Sequence, residues 1–340
     1  MYEIRDITKK KIWDDFLLQK EVVFYPFFQA WEWGEVQRRM ARSVWRVGVF
    51  DEEKLVAVCQ IVKVVAKRGT YLHLRHGPVL LPFDWEVFDE IINYSKKLAA
   101  EERASFIRIS PVVPKEYVDF ANLKKRGFRD SAMHNMDAEI CWVLDITKPE
   151  NELLKEMRKS HRYLIKKALG MGIKIMVSKD TVDLTKFFPL YQDLSKRKHF
   201  VPHKGVQEEF DVFAKNDEEL LFLATYNGKV ISGAIIAFVG KMAIYRHGAS
   251  DNEFRDIPAS YLIQWEAMRE AKKRGMAIYN FWGIASNDRK THPWYGLSLF
   301  KMGFGGKRLE FLHAQDLPLT FSYWKTNLIE RISTWRKGYF

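Results

Sequence analysis

Apolar positions along this chain follow two periods, alternation in short runs and helical spacing in longer ones, and the order of these runs occurs twice. Each half predicts two strands joined by a turn, a third strand, an amphipathic helix, a fourth strand and a short helix. The turns are Asp51-Glu52-Glu53 and Asn227-Gly228, and Asn-Gly is a strong hairpin signal. The strands predicted beside and after these turns are Val47–Phe50, Leu55–Val65 and Phe106–Ile109, then Leu221–Thr225, Val230–Phe238 and Ile278–Phe281.

Matching landmarks link the two halves. The third strand ends in Arg75-His76-Gly77 or Arg246-His247-Gly248, and each short helix ends at a Gly-Phe pair, Gly127-Phe128 or Gly303-Phe304. The matched points lie about 170 residues apart throughout, which indicates an internal repeat. The apolar faces of the two long helices consist of Trp85, Phe88, Ile91, Ile92, Leu98 and Ala99, and of Leu262, Trp265, Met268 and Ala271. We therefore predict an α/β protein with a mixed sheet in each of two duplicated domains; two unrelated α/β domains are the alternative.

A basic segment lies between the halves. Residues Leu153–Ala168 predict one continuous helix whose apolar side holds Leu153, Met157, Leu164, Ile165 and Ala168. Its other side carries a stripe of cations at three- and four-residue spacing, namely Lys155, Arg158, Lys159, Arg162 and Lys166. Such stripes are usually solvated faces, and contact with RNA is the functional hypothesis.

Composition narrows the class of partner. The formal net charge of +12 over 340 residues and the pI near 9.4 favour polyanionic partners, without distinguishing RNA, anionic lipid or a nucleotide-linked substrate. The two cysteines, Cys59 and Cys141, are too few and too far apart for a disulfide framework or a four-ligand zinc site, so a reducing cytoplasm is expected. The most apolar run, Val230–Val239, is shorter than the roughly 20 residues of a membrane span.

Common catalytic motifs are missing from the sequence. It has no Gly-x-Ser-x-Gly elbow, no His-Glu-x-x-His and no P-loop, which removes the usual hydrolase, zincin and ATPase interpretations. The stretch Asp251–Pro258, before the second long helix, lacks the glycine-rich pyrophosphate loop that coenzyme-A acetyltransferases use there. Acetyl-CoA is therefore disfavoured, and no metal or other cofactor is expected.

The chain resembles the FemABX family of nonribosomal peptidyltransferases. The matching segments are Gln29–Val36, Gly77-Pro78-Val79, Met157–Ile175, Tyr245–Ser250, Ala259–Ile284 and Gly296–Gly306, in the family's order. The stretch between Ile175 and Leu220 has no room for a coiled-coil arm, so the similarity is to the compact, arm-less members. The resemblance implies two acetyltransferase-like (GNAT) domains, 1–146 completed by 317–340, and 147–316, with the substrates in a cleft between them.

The resemblance also implies the reaction. Family members move an amino acid from aminoacyl-tRNA to the stem-peptide amine of a nucleotide- or lipid-linked peptidoglycan precursor, without DNA as a partner, and a monomer is expected. The aminoacyl ester is already activated, so positioning and charge stabilisation suffice for transfer. The alternatives are a related transferase acting on a protein or small-molecule amine, and a non-catalytic module that binds RNA or a membrane surface.

Individual residues can be carried over from the family. The Phe300-Lys301 pair stands where the family has a Phe-Lys pair associated with the tRNA acceptor end and the reacting ester, so a catalytic role is implied. Lys204 stands at a precursor-phosphate position, and Tyr245 and His247 lie on a strand that lines the same cleft. The alternative for Lys301 is an exposed helical lysine, whose loss would leave folding intact.

Two departures from the family pattern affect substrate binding. Gln37 is followed by Arg38 and Arg39 where members often have a lysine on the pyrophosphate, and a shifted arginine is a good phosphate ligand. Ser110, before Pro111, stands where some members have an acidic residue. Ser110 is therefore a substrate-binding candidate that cannot supply a carboxylate base.

The C-terminal segment combines aromatic and basic residues. Apolar residues at helical spacing are Phe321, Trp324, Leu328, Ile332 and Trp335, beside the cations Lys325, Arg331, Arg336 and Lys337. We expect the apolar face to be buried on the first domain. Contact with an anionic membrane is the alternative.

Overall fold

A computed structural model describes residues 2–22, 24–133, 137–198 and 200–338. The chain forms two compact units, the first from Met1–Ile140, Ala285–Tyr295 and Leu309–Phe340, the second from Cys141–Ile284 and Gly296–Arg308. The strands are β1 Tyr2–Asp6, β2 Val44–Asp51, β3 Lys54–Ala66, β4 Gly69–His76, β5 Val79–Leu80, β6 Phe106–Pro111, β7 Arg129–Asp130, β8 Ile140–Asp145, β9 Lys174–Ser178, β10 Glu219–Tyr226, β11 Lys229–Val239, β12 Met242–Ser250, β13 Ile278–Gly283, β14 Lys307–Glu310 and β15 Gln315–Pro318. The helices are α1 Lys10–Leu17, α2 Trp31–Arg39, α3 Trp85–Glu101, α4 Phe120–Lys125, α5 Glu150–Glu156, α6 Lys159–Gly170, α7 Leu184–Lys198, α8 Val206–Phe213, α9 Ala259–Lys273, α10 Tyr295–Met302 and α11 Tyr323–Arg336.

The first unit is built on a sheet in the order β1-β2-β3-β4-β6-β15-β7, with β5 paired to β3. Strands β2, β3 and β4 are antiparallel neighbours, whereas β4 and β6 run parallel, with Leu72 opposite Ile107. Helix α3 connects these parallel strands, as a parallel pair requires a crossover. Its buried residues Phe88, Ile91 and Ile92 join Leu72 and Ile107 in one core.

The second unit repeats this plan in a sheet of order β14-β8-β13-β12-β11-β10-β9. The β10–β11 and β11–β12 pairs are antiparallel, and β12 runs parallel to β13, to which α9 connects it. Met268 on α9, Phe281 on β13 and Phe304 after α10 belong to its core. Both predicted hairpins and the mixed α/β class are confirmed.

Strand β8 illustrates how the units differ from the predicted domain bounds. It pairs with β13, register Ile278 opposite Asp145, and so lies in the second unit's sheet although the predicted boundary follows it. The sheet pairing, not chain order, sets its unit. The predicted bounds and the cleft between the domains stay predictions.

The prediction of one helix over Leu153–Ala168 is wrong, because the chain breaks into α5 and α6. Met157 and Arg158 have ψ angles of 149° and 144°, which are extended. The break buries the Met157 side chain in the core and lets the Arg158 N–H donate to the carbonyl of Gly303 at 2.9 Å. The Arg162 guanidinium donates to the carbonyls of Leu154 and Met157, which as terminal helix carbonyls lack helical partners.

Helix α11 does not bury its apolar residues, so that prediction is also wrong. Its buried residues are mostly polar, namely Tyr323, Thr326, Asn327, Glu330 and Thr334. These polar side chains reach partners in the first unit, and the apolar residues face outward. Among the described residues, no helix has both the length and the apolar character needed to cross a membrane.

Candidate functional site

Lys301 occupies a buried position on α10. Its side chain is 4% exposed, and Nζ donates a hydrogen bond to the carbonyl of Gly283 at 2.6 Å. The alternative of an exposed lysine, and the expectation that its loss would leave folding untouched for that reason, are wrong. Placing an amine in this interior costs solvation, so its environment must supply hydrogen-bond partners.

Burial alters the chemistry of this amine. It lowers the pKa of Lys301 from 10.5 to about 7, so near neutral pH both protonation states are populated. Burial also raises the pKa of the neighbouring Cys141 thiol to about 12, against the opposing influence of Lys301. Cys141 is therefore a neutral neighbour, and Lys301 can hold or release a proton at physiological pH.

The carbonyl that binds Lys301 comes from an irregular strand end. The register of β13 against β8 shifts between Asn280 and Gly283, and Trp282 between them has φ of 67°. A positive φ is uncommon for a bulky residue and often marks a functional position. The side-chain oxygen of Asn280 accepts from the Trp282 N–H at 2.8 Å, which supports this conformation. Gly283 thereby joins Lys301 to the end of β13.

Tyr245 lies beside Lys301. The Lys301 Nζ is 5.8 Å from the centroid of the Tyr245 ring, within the range of a cation–π contact. Burial raises the pKa of Tyr245 to about 12, so the phenol is protonated and can donate a hydrogen bond. Gly248 leaves room for this ring, because a Cβ there would come within 1.9 Å of the Tyr245 hydroxyl oxygen. The structure therefore brings together two predicted site residues, Lys301 and Tyr245.

His161 supports the Phe300-Lys301 pair and was missed by sequence reasoning. Its ring Nε2 lies 2.9 Å from the carbonyl oxygen of Phe300, so Nε2 carries the proton. Burial lowers the pKa of His161, which favours the neutral ring. Its ring also covers Gly303, where a Cβ would lie 1.9 Å from the nearest ring atom. Its place among the apolar positions of α6 is the signal that could have singled it out.

His247 takes part in a buried ionic cluster rather than standing alone. Arg246 donates to both carboxylate oxygens of Glu209 at 2.7 and 2.9 Å, and the His247 Nε2 lies 3.5 Å from Glu209. Burial would raise the pKa of Glu209, but Arg246 and His247 hold it well below its usual value. The Arg246 guanidinium also lies 4.7 Å from the Trp282 ring, so the cluster braces the strand end that binds Lys301.

A second carboxyl group lies next to this cluster. Glu219 on β10 is fully buried, and burial followed by the charge of Glu209 raises its pKa well above the usual value. Burial therefore favours the neutral form of Glu219, whereas Glu209 is held charged by its contact with Arg246. Neither glutamate was singled out from the sequence, because each lies far along the chain from Arg246.

Lys204 is exposed on the loop that leads into α8. The ring of its neighbour His203 lies 5.7 Å from the ring of His247, which places the loop beside the ionic cluster. The binding of a precursor phosphate by Lys204 stays a prediction.

In the first unit, Ser110 lies in a buried network. Its hydroxyl donates to Asp137 at 2.7 Å, and Arg75 Nε donates to the same carboxylate at 2.9 Å. Burial would raise the pKa of Asp137, but Arg75 and His73 hold it well below its usual value. At His73, burial lowers the pKa to about 4, because its effect is larger than the opposing effect of the Asp137 carboxylate. Sequence reasoning missed Asp137, the carboxylate to which Ser110 donates.

The three predicted residues on α2 differ in exposure. Gln37 is buried and its side-chain oxygen accepts from Arg42 at 2.6 Å. Arg38 and Arg39 are exposed, and Arg38 pairs with Glu35 at 2.8 Å. The two arginines, and not Gln37, are exposed to solvent, and the binding roles of all three stay predictions.

Only part of the predicted basic stripe is exposed to solvent. Arg158, Lys159 and Lys166 are exposed, whereas Arg162 is half-buried and its guanidinium donates to backbone carbonyls. Tyr163 is exposed on the same helix. The described residues contain no group of three or more histidine, cysteine or acidic side chains arranged to hold a metal.

Solved structures agree with this fold. The crystal structure of FemX superposes with a TM-score of 0.82 at 20% identity, covering 96% of this chain and all of that one. A tandem GNAT protein from the clavulanic acid biosynthesis pathway superposes with a TM-score of 0.56 at 9% identity, over 94% of this chain and 98% of that one. The expected pair of GNAT-like domains is confirmed.

Sequence comparison then supplies the family. The FemAB family model matches residues 8–225 and 203–331, and this chain belongs to that family. A lipid II:glycine glycyltransferase of Staphylococcus haemolyticus strain JCSC1435 is 22% identical over 352 residues, covering 82% of this chain and 84% of that protein. The enzyme of the same name from Staphylococcus aureus strain MRSA252 is also 22% identical, with the same coverage. The predicted family and the predicted enzyme class, an acyltransferase, are confirmed.

Proposed function

We propose that this chain transfers an amino acid from aminoacyl-tRNA to a stem-peptide amine of a peptidoglycan precursor, and that the precursor is lipid-linked. The observation that carries the proposal is the buried Lys301, tied to Gly283 and placed beside Tyr245. The names of the relatives, which are lipid II:glycine glycyltransferases, favour a lipid-linked acceptor.

The reaction needs little beyond positioning and proton control. The acceptor amine attacks the ester carbonyl, the bond to the ribose oxygen breaks, and one proton passes in net from the amine to that oxygen. With its pKa near 7, Lys301 can be charged while negative charge develops and can exchange that proton afterwards. The protonated Tyr245 hydroxyl is a second donor.

Helix α6 supports the use of tRNA. Its exposed side presents Lys159 and Lys166, and Arg158 immediately precedes it; these cations suit phosphates. Its buried side places His161 on the carbonyl of Phe300. The exposed Tyr163 offers a ring on which an unpaired base can stack. One helix thus connects a basic surface to the Phe300-Lys301 pair.

The acceptor side rests on cations near buried carboxylates. Lys204, which lies on the loop beside His247, is proposed to bind the precursor's pyrophosphate. The buried Ser110–Asp137 pair is proposed to orient Arg75 at the acceptor rather than to act as a base, because the carboxylate is already paired.

The test is mass spectrometry of lipid-linked and nucleotide-linked precursors after incubation with the enzyme and a charged tRNA pool. We expect the lipid-linked precursor to gain one or more amino-acid residues, and Lys301→Met to slow this gain by about a hundredfold or more. Transfer to the nucleotide-linked precursor alone would show that the proposed lipid-linked acceptor is wrong. Deacylation of the tRNA onto another amine would support the alternative transferase, and inactivity with every acceptor would contradict the proposed function.

A further inference from the structure

Helix α11 has its polarity inverted relative to an ordinary surface helix, which buries its apolar side. Its apolar residues face outward: Leu328 and Trp335 are 59% and 72% exposed, and Phe321, which precedes the helix, is 89% exposed. Trp324 and Ile332 are exposed on the same side. The spacing of the four residues inside the helix, Trp324, Leu328, Ile332 and Trp335, places them in one stripe.

The buried side shows that this orientation is specified. The Thr326 hydroxyl donates to the carbonyl of Arg68 at 2.6 Å, and the Thr334 hydroxyl donates to the carbonyl of Ala132 at 3.0 Å. Glu330 accepts from the buried Arg108 at 2.8 Å. Rotating the helix to bury its apolar stripe would break these hydrogen bonds, and Arg108 would lose one of its carboxylates. The apolar stripe is therefore held outward by polar contacts.

The charges around the stripe have one sign. Among the described residues of the helix, every exposed charged side chain is a cation, and Lys337 follows it. A groove of about 460 Å³ beside the helix is lined by Lys124, Arg129 and Arg331 together with Trp324. The Arg129 guanidinium lies 4.5 Å from the Trp324 ring, so a cation stands at the edge of the stripe. The one carboxylate lining this groove, Asp130, accepts a hydrogen bond from Gln315 at 2.7 Å.

We infer that the outward face of α11 is a membrane-binding surface that seats on an anionic phospholipid bilayer. Tryptophan and phenylalanine favour the interfacial region, while adjacent lysines and arginines meet anionic head groups. A protein partner would match the apolar stripe equally well, but the uniform positive charge selects an anionic surface. The biological role of this surface rests on the proposed function, because a lipid-linked acceptor lies in such a membrane.

The test is co-sedimentation of the full chain with vesicles of phosphatidylcholine alone and of phosphatidylcholine mixed with phosphatidylglycerol. The test variant is Leu328→Ser/Ile332→Ser/Trp335→Ser. A matched control, Leu18→Ser/Val65→Ser/Tyr117→Ser, removes exposed apolar side chains elsewhere in the first unit. Thermal unfolding confirms that both variants fold.

We expect binding to the anionic vesicles to fall at least about tenfold in the test variant and to persist in the control. Equal binding by both variants, absence of binding by the parent chain, or indifference to phosphatidylglycerol would overturn the inference. So would a concentration-dependent dimer in sedimentation velocity that the test variant abolishes, because the stripe would then join two copies. Transfer to a water-soluble short-chain precursor separates the two proposals: if it persists without vesicle binding, only the membrane surface is wrong.

Discussion

His161 and Phe300 are joined by a hydrogen bond of 2.9 Å from the imidazole Nε2 to the backbone carbonyl, across 139 positions of sequence. The same ring lies against Gly303, two residues after Lys301. The segment that carries the candidate catalytic amine is therefore positioned by one side chain of the basic helix α6.

This contact predicts a specific coupling. Gly303→Ala should destabilise the protein by about 1–3 kcal/mol, because the added methyl group enters the His161 ring. In a His161→Ala background the same change should cost much less, since the ring is gone, with a coupling free energy of about 0.5–3 kcal/mol. Urea unfolding of the four proteins in the cycle measures it. Additive effects would show that His161 does not restrict position 303.

Lys301→Met should lower turnover by about a hundredfold or more, which is the effect of losing one preorganised charge-stabilising group. Lys125 is the internal control, because it holds the matching register before Gly127-Phe128 in the first unit and is exposed. Lys125→Met should leave single-turnover transfer nearly unchanged. Equal rates for Lys301→Met and the parent would remove the catalytic role, and a loss in tRNA affinity alone would make Lys301 a binding residue.

The buried amine also predicts a pH-dependent stability. The pKa of Lys301 is about 7 in the folded protein and 10.5 as an ordinary lysine, so between these values the unfolded chain binds the extra proton. The parent should lose stability relative to Lys301→Met as pH falls from about 10.5 towards 7, and the difference should level off below 7. Chemical denaturation of both proteins between pH 7 and 9.5 checks this. A constant difference across that range would contradict the lowered pKa.

Lys204→Ala should weaken precursor binding by about 1.5–3 kcal/mol, the usual cost of losing one charged hydrogen bond to phosphate, with little change in tRNA affinity. Lys215→Ala is a suitable control, because it removes another exposed lysine of the same unit. Acceptor titration at constant salt gives both values. Equal weakening of both substrates by Lys204→Ala would indicate a structural or general electrostatic role.

Arg246→Met should destabilise the protein by about 3–5 kcal/mol, because it leaves the Glu209 carboxylate buried without its partner. Arg269→Met breaks a half-exposed pair with Glu266 in the same unit and should cost less than about 1 kcal/mol. Thermal and urea unfolding compare the two variants. Similar small losses would mean that Glu209 takes up a proton without difficulty when Arg246 is removed.

The repeated order of strands and helices can be predicted from local sequence patterns alone. The Asn227-Gly228 turn, the β-branched runs and the apolar faces of α3 and α9 are local signals, and each appears in the structure as predicted. The Phe300-Lys301 pair could also be found from the sequence, because its position before Gly303-Phe304 matches a family pattern. Local patterns report which positions are apolar and where a turn is favoured.

The contacts that these helices and strands make depend on segments that are distant in the sequence. The helix break at Met157-Arg158 follows from the carbonyl of Gly303, and the burial of Lys301 follows from the carbonyl of Gly283, both supplied by distant segments. Asp137 reaches Ser110 in the same way, from the far side of α4 in the chain. Helix α11 is the clearest case, since its sequence predicts an apolar stripe but not which side faces the protein. Its polar side is buried because Arg108 and backbone carbonyls of the first unit need hydrogen-bond partners. A buried polar group without a partner costs more free energy than an apolar stripe left at the surface.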